Sequence, residues 1–185
     1  RTAHAVTVGI AKRPDGDIRE FVNRAHLLRL FNTTCYGQPL ASRLSQRASV
    51  TFFGFTEMTP LAEQALFIQG LDILFAAHGA ALTLLIFLPP RSAVVEFLDL
   101  IHTHAAYYRN LAELSDLIYF STRVCDAASS EQILLSACVA HVSSTGVGIT
   151  LNEGPAQRLI QAAISAVASH GGRDEGSESG PCDEL

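Results

Sequence analysis

One stretch of the chain brings together a histidine, a run of small residues, a hydroxyl and a carboxylate: His78, Gly79-Ala80-Ala81 leading into Leu82, Thr83, and then Glu96. Imidazole titrates near neutral pH and can give or take a proton. Small residues allow a backbone to approach a ligand closely, and N–H groups at the start of a helix favour an anion. A carboxylate at the carboxyl end of a strand can accept hydrogen bonds from sugar hydroxyls. Lys12, Arg13 and Arg19, in the first loop, are the cations that can add charge. Such a set fits a nucleotide diphosphate.

The elements that must position these residues can be read on both sides of them. Ile73 to Ala77 has the length and apolarity of a buried strand. Leu82 to Leu88 suits a buried helix that stops at Pro89-Pro90, and Ala93 to Phe97 suits a second strand, which together make a βαβ unit. A membrane span is the competing reading of this apolar region. Asp72, His78 and the two prolines interrupt it well short of the roughly 18–20 apolar residues that a spanning helix needs.

Upstream, Ala5 to Ala11 reads as a first strand, and Lys12 to Asp17 as a turn-rich loop. Glu20 to Phe31 reads as a helix with Phe21, Leu27, Leu28 and Phe31 on its apolar side, and Val50 to Phe55 as a strand. Thr59 fits an N-cap, with Pro60 at the first helical position, Glu63 in the first turn and Gly70 as the stop. Downstream, Glu131 to His141 is apolar and compatible with helix or strand, and Ser143 to Gly148 is a connection. Pro155 to His170 is an amphipathic helix whose face of Leu159, Ile160, Ala163, Ile164 and Val167 is expected in the core. Alternating strands and helices predict an α/β, Rossmann-like fold, a mainly parallel sheet with helices on both faces and His78-Gly79 on the ligand edge.

His78-Gly79-Ala80-Ala81-Leu82-Thr83, followed by Phe87-Leu88-Pro89 and Val94-Val95-Glu96, resembles the signature of the family 61 glycosyltransferases. Val6-Thr7-Val8 with Arg19 and Phe21-Val22-Asn23, Glu57 to Gln64 ahead of Leu71-Asp72-Ile73-Leu74, and Tyr108, Leu111-Ala112 and Tyr119 extend the similarity over residues 5–124. The late helix ending at His170 is similar to that of the EGF-domain-specific O-GlcNAc transferases. Three positions depart from the pattern: Glu20 replaces the second member of an arginine pair, Leu84 stands where a polar residue often follows the threonine, and Asp116 takes a place usually held by glycine.

The resemblance implies the C-terminal, donor-binding lobe of a GT-B glycosyltransferase whose N-terminal lobe supplies much of the acceptor site. It implies inverting transfer of a sugar, GlcNAc by the closer similarity, from a UDP-sugar to a hydroxyl such as that of a protein serine or threonine in a glycoprotein. It implies no metal or other cofactor. Lys12, Arg13 and Arg19, the backbone of Gly79, Ala80, Ala81 and Leu82, and the Thr83 hydroxyl would meet the departing diphosphate. Glu96 would accept from ribose, and His78 would border the reacting centre with the general base unassigned. Plainer roles stand beside these: Arg19 paired with a surface carboxylate, Thr83 bonded back to its own helix, Glu96 a solvated strand end. A non-catalytic relative and an unrelated α/β nucleotide-binding domain are the alternatives, although no G-x-G-x-x-G follows the first strand.

Composition narrows the class further. The 185 residues are 48% hydrophobic and can bury a sizeable core, and the net charge of −5 with 13 scattered basic residues argues against nucleic acid as a partner. Residues 1–170 are expected to form one domain and residues 171–185 a disordered acidic tail. Cys35, Cys125, Cys138 and Cys182 are too widely spaced for a zinc cluster and leave both disulfides and free thiols open. The chain begins at Arg1 without a signal peptide or spanning segment and reads as a fragment. Its last residues, Cys182-Asp183-Glu184-Leu185, resemble an ER-retention ending, which places the expected protein in the endoplasmic reticulum or Golgi lumen.

Overall fold

The computed structural model describes residues 6–13, 17, 19–32, 49–98, 106–125, 139–142 and 148–171. Among these, strands β1 (Thr7–Ala11), β2 (Ser49–Phe53), β3 (Ile73–Ala77), β4 (Ala93–Leu98), β5 (Ile118–Cys125), β6 (Ala140–Val142) and β7 (Ile149–Leu151) form one sheet. Its order is β2-β1-β3-β4-β5-β6-β7, parallel throughout except for the antiparallel β6–β7 pair. Helices α1 (Arg24–Asn32), α2 (Leu61–Gln69), α3 (Tyr107–Leu114) and α4 (Glu153–Gly171) and a 3-10 helix (Ala80–Phe87) flank it.

Side chains alternate across the central strands, so two apolar layers form. Ile73, Phe75 and Ala77 of β3 and Ala93, Val95 and Phe97 of β4 pack with Leu27, Leu30 and Phe31 of α1 and Ile160, Ala163 and Ile164 of α4. Leu74, Ala76 and Val94 point the other way, onto Ile68, Leu82, Leu85 and Ala112. The fold is therefore the expected α/β, Rossmann-like arrangement with helices on both faces of a mainly parallel sheet. The continuous apolarity of β3 and β4 follows from this burial on both sides. In the first layer, Phe31, Phe75, Phe97 and Phe21 form a chain of ring contacts with centroids 5.4, 5.6 and 5.2 Å apart. Ile160, Ala163 and Ile164 are buried, as expected of the late helix.

Local expectations yield to tertiary contacts in three places. The segment Glu20–Val22 is extended rather than helical: Phe21 bridges Ile149, Val22 N–H donates to the Ile149 carbonyl at 3.1 Å, and α1 begins only at Arg24. Thr59 does not cap α2. That helix starts at Leu61 after Pro60, and the Thr59 hydroxyl instead accepts from the Thr56 N–H at 3.1 Å. The segment after Gly79 is a 3-10 helix, closed by Leu82 N–H to the Gly79 carbonyl at 2.9 Å and Leu88 N–H to the Leu85 carbonyl at 3.0 Å. At three residues per turn, Leu82, Leu85 and Leu88 fall in one row, and all three are buried. Asp116 has φ of 54°, the left-handed region that glycine serves most easily and aspartate tolerates. Residues 33–48, 131–138, 143–147 and the tail from 172 onward, including Cys182-Asp183-Glu184-Leu185, lie outside the described residues.

Candidate functional site

The sheet reverses its direction of growth between β1 and β3: the chain leaves β1 toward β2 on one side, whereas β3 leads to β4 and β5 on the other. Such a switch point opens a crevice at the carboxyl ends of the two strands, where open α/β sheets bind ligands. Lys12 and Arg13 follow directly on β1, and His78 and Gly79 on β3.

Two guanidinium groups meet there. Arg13 Nη2 donates to the His78 carbonyl at 2.9 Å, and Arg19 Nη1 donates to the same oxygen at 3.3 Å. Arg19 is steadied by Asp17, whose Oδ1 accepts from the Arg19 backbone N–H at 2.8 Å and from Nε at 3.2 Å, while Oδ2 accepts from Nη2 at 3.3 Å. Burial alone would raise the Asp17 carboxyl. The hydrogen bonds from the Arg19 backbone and side chain, with the charges of Arg19 and Arg13, outweigh it and hold the group below its ordinary range. Gly79 has φ of 148° and ψ of −178°, a conformation open essentially to glycine, and a Cβ there would overlap the Arg13 guanidinium.

Behind the turn lies a buried polar chain. Glu96 sits within β4, on the face that carries Val94, and none of it reaches solvent (0% exposed). His78 Nδ1 is 2.5 Å from Glu96 Oε1, and the Tyr119 hydroxyl, from β5, donates to Oε2. Burial first, and then the hydrogen bond and charge of Glu96, push the Tyr119 phenol far above its ordinary value, so it keeps its proton and remains a donor. The Tyr108 and His78 rings meet edge to face with centroids 5.3 Å apart, and Arg109 lies 5.8 Å over the Tyr119 ring. A carboxylate in an apolar layer is tolerable only with such partners.

Arg13, Arg19, His78 and Gly79 therefore converge. Glu96 stands beneath them as an anchor: it is not a solvated strand end, and both of its oxygens are engaged within the protein. Lys12 is exposed beside the crevice, its backbone N–H bound to the Phe53 carbonyl at 2.6 Å. Ala80 and Ala81 form the first turn of the 3-10 helix. Leu82 buries its side chain in the core and spends its N–H on Gly79, so it presents no donor to a ligand. Thr83 is exposed and its hydroxyl donates to the Ala80 carbonyl at 2.7 Å, the plainer of its two expected roles. Asp17, Tyr108 and Tyr119 were not legible as site residues. The two tyrosines carried a signal as positions of the resemblance, whereas Asp17 is two residues from Arg19 and only its hydrogen bonds show its part.

A doubly wound α/β sheet thus gathers two cations, Arg13 and Arg19, at its switch point. The chain belongs to glycosyltransferase family 61: the family model described as Glycosyltransferase 61 matches residues 3–95, half of its length. Membership makes it a transferase domain, and implies a nucleotide-sugar donor and an acceptor. The match takes in Arg13, Arg19, His78 and Gly79 and stops one residue before Glu96. No curated protein matches the chain at a significant level. Among the described residues no helix is long and apolar enough to cross a membrane.

Proposed function

We propose that this chain provides the donor site of an inverting, metal-independent glycosyltransferase of GT-B architecture, transferring GlcNAc from a UDP-sugar to the hydroxyl of a protein serine or threonine. The observation that carries this reading is the convergence of Arg13 and Arg19 on the His78 carbonyl beside Gly79, at the switch point of a family 61 chain. As the acceptor oxygen attacks the anomeric carbon from the opposite face, the bond from that carbon to the diphosphate oxygen breaks and its electron pair leaves with the diphosphate. Two guanidinium groups supply the positive charge that this departure needs, which supports a reaction without a metal. The hydroxyl proton passes to a general base, and a second lobe would hold the acceptor. His78 is the side chain of this lobe that borders the reaction.

The finer points rest on narrower support. The late helix ending at His170 favours a transferase similar to the EGF-domain-specific O-GlcNAc transferases. Cys125 is disulfide-bonded, which suits an oxidising compartment such as the endoplasmic reticulum or Golgi lumen. A relative that has lost donor binding is the rival, resting on Glu20 and Leu84. Glu20 accepts from Arg24 Nη2 at 2.5 Å and Leu84 packs in the core, so neither change removes Arg13 or Arg19 from the crevice. Family membership stands against the unrelated nucleotide-binding domain.

Thermal unfolding with UDP, GDP and NAD, each in EDTA and in Mg²⁺, tests the reading. At ligand about 100 times the dissociation constant, binding adds roughly 2.7 kcal/mol. UDP is expected to stabilise the protein in EDTA. A folded sample that UDP leaves unshifted in both conditions overturns a donor site in this chain.

A further inference from the structure

Strands β4 and β5 run parallel, so the chain must return between them, and α3 is the helical part of that return. Its first turn therefore lies toward the carboxyl edge of the sheet, the edge that carries His78 and the crevice. Tyr107 in that turn is 75% exposed, whereas Tyr108 is partly buried and packs on the second apolar layer. The Tyr108 ring meets the His78 ring edge to face with centroids 5.3 Å apart. Its hydroxyl feels two opposite charges, that of Glu96 beneath the turn and that of Arg13 in the crevice, and no hydrogen bond among the described residues engages it. The residues that the family model matches end at 95, short of this helix.

We propose that Tyr108 is a further ligand-binding residue of the crevice, its phenolic O–H donating to the diphosphate that Arg13 and Arg19 hold. An ionised phosphate oxygen only accepts hydrogen bonds, so the tyrosine gives and the ligand takes. Partial burial first, and then the charge of Glu96, raise the phenol above its ordinary value against the opposing effect of Arg13, so it keeps its proton through the neutral range and remains a donor. Packing on His78 and on the apolar layer settles the ring before a ligand arrives, and little side-chain freedom is left to lose on binding. A single anionic group would be satisfied by two guanidinium forks. A diphosphate carries more unesterified oxygens than these reach, and a third donor on the opposite wall meets one of them.

The nucleotide part of the ligand rests on the function proposed above, but the contact of Tyr108 with a diphosphate does not, and the two can be tested apart. Inorganic pyrophosphate and UDP are titrated separately into the full chain and into Tyr108→Phe and Tyr107→Phe. Tyr108→Phe keeps the ring beside His78 and removes only the oxygen, so both ligands are expected to bind it about tenfold more weakly, and Tyr107→Phe to bind as the wild type does. In wild-type protein carrying ¹³C at the tyrosine Cζ, saturating pyrophosphate should move the Tyr108 resonance, a readout that needs no variant to fold. Pyrophosphate bound equally well by Tyr108→Phe overturns the proposal, as does a Tyr108 resonance that stays in place at saturation. If pyrophosphate binds through Tyr108 while UDP binds no form of the chain, the donor reading fails and the diphosphate contact stands; a wild type that binds neither ligand overturns both.

Discussion

Arg13 occupies the space that a side chain on Gly79 would fill. The guanidinium reaches across the switch point from the end of β1, bonds the carbonyl preceding the glycine, and lies where a Cβ would project. The pairing joins two loops that are far apart in sequence and makes the glycine a condition for the arginine.

Gly79→Ala should therefore act twice. The backbone at φ of 148° is strained for any residue with a Cβ, at a cost of about 1–3 kcal/mol, and the flexible end of Arg13 must move aside. Chemical denaturation of Gly79→Ala, Arg13→Ala and the double variant is expected to show coupling of at least about 0.5 kcal/mol, because the overlap vanishes with the guanidinium. Strict additivity would mean that the contact carries no energy.

Binding of UDP should depend on the two converging arginines more than on their neighbour. Removing a charged donor from an anion typically costs roughly 1.5–3 kcal/mol, so Arg13→Ala and Arg19→Ala are each expected to weaken UDP about tenfold or more. Lys12→Ala, at an exposed position, should have a smaller effect that added salt largely removes. Isothermal titration at two salt concentrations separates the three.

Alkaline pH should expose the Tyr119–Glu96 bond. The folded-state value of Tyr119 is raised above its ordinary 10.0 by burial and then by Glu96, and Tyr108 is raised likewise by burial and the charge of Glu96. Above pH 10 the unfolded chain releases these protons while the folded protein holds them, so stability is full below that pH and falls as pH rises. Denaturant midpoints across this range should decline in the wild type and decline less in Tyr119→Phe.

Reduction should weaken the sheet's far side. Cys125 ends β5 and is disulfide-bonded, so a reductant is expected to lower stability by about 2–4 kcal/mol, seen as a shift in the denaturant midpoint. Cys125→Ser should reproduce the part of the shift that this bond contributes.

Much of this arrangement was legible along the chain. The apolar runs at 73–77 and 93–97, the glycine turn between a strand and a short buried helix, and the stripe of Leu159, Ile160, Ala163 and Ile164 all follow from periodicities of two, of 3.6 or of continuous burial, which are local in origin. Those features are enough to place His78 and Gly79 on the carboxyl edge of a parallel sheet. The cations of the first loop were legible as a group, because charge needs no partner to be read.

Partnership is what only the tertiary structure decided. Glu20–Val22 has the composition of a helix start, yet pairing with Ile149 draws it into extended backbone. Thr59 has the chemistry of a cap but spends its hydroxyl on Thr56, and Leu82, Leu85 and Leu88 adopt a three-residue turn because that places all of them on the same core. Glu96 differs most. Its type alone cannot tell a ribose ligand from a buried anchor, since that depends on whether donors from β3 and β5 arrive at its two oxygens. A sequence determines which groups can bond and the period at which its elements turn; packing of distant strands determines which bonds are made, because the cost of burying a charge is met only where His78 and Tyr119 come together around it.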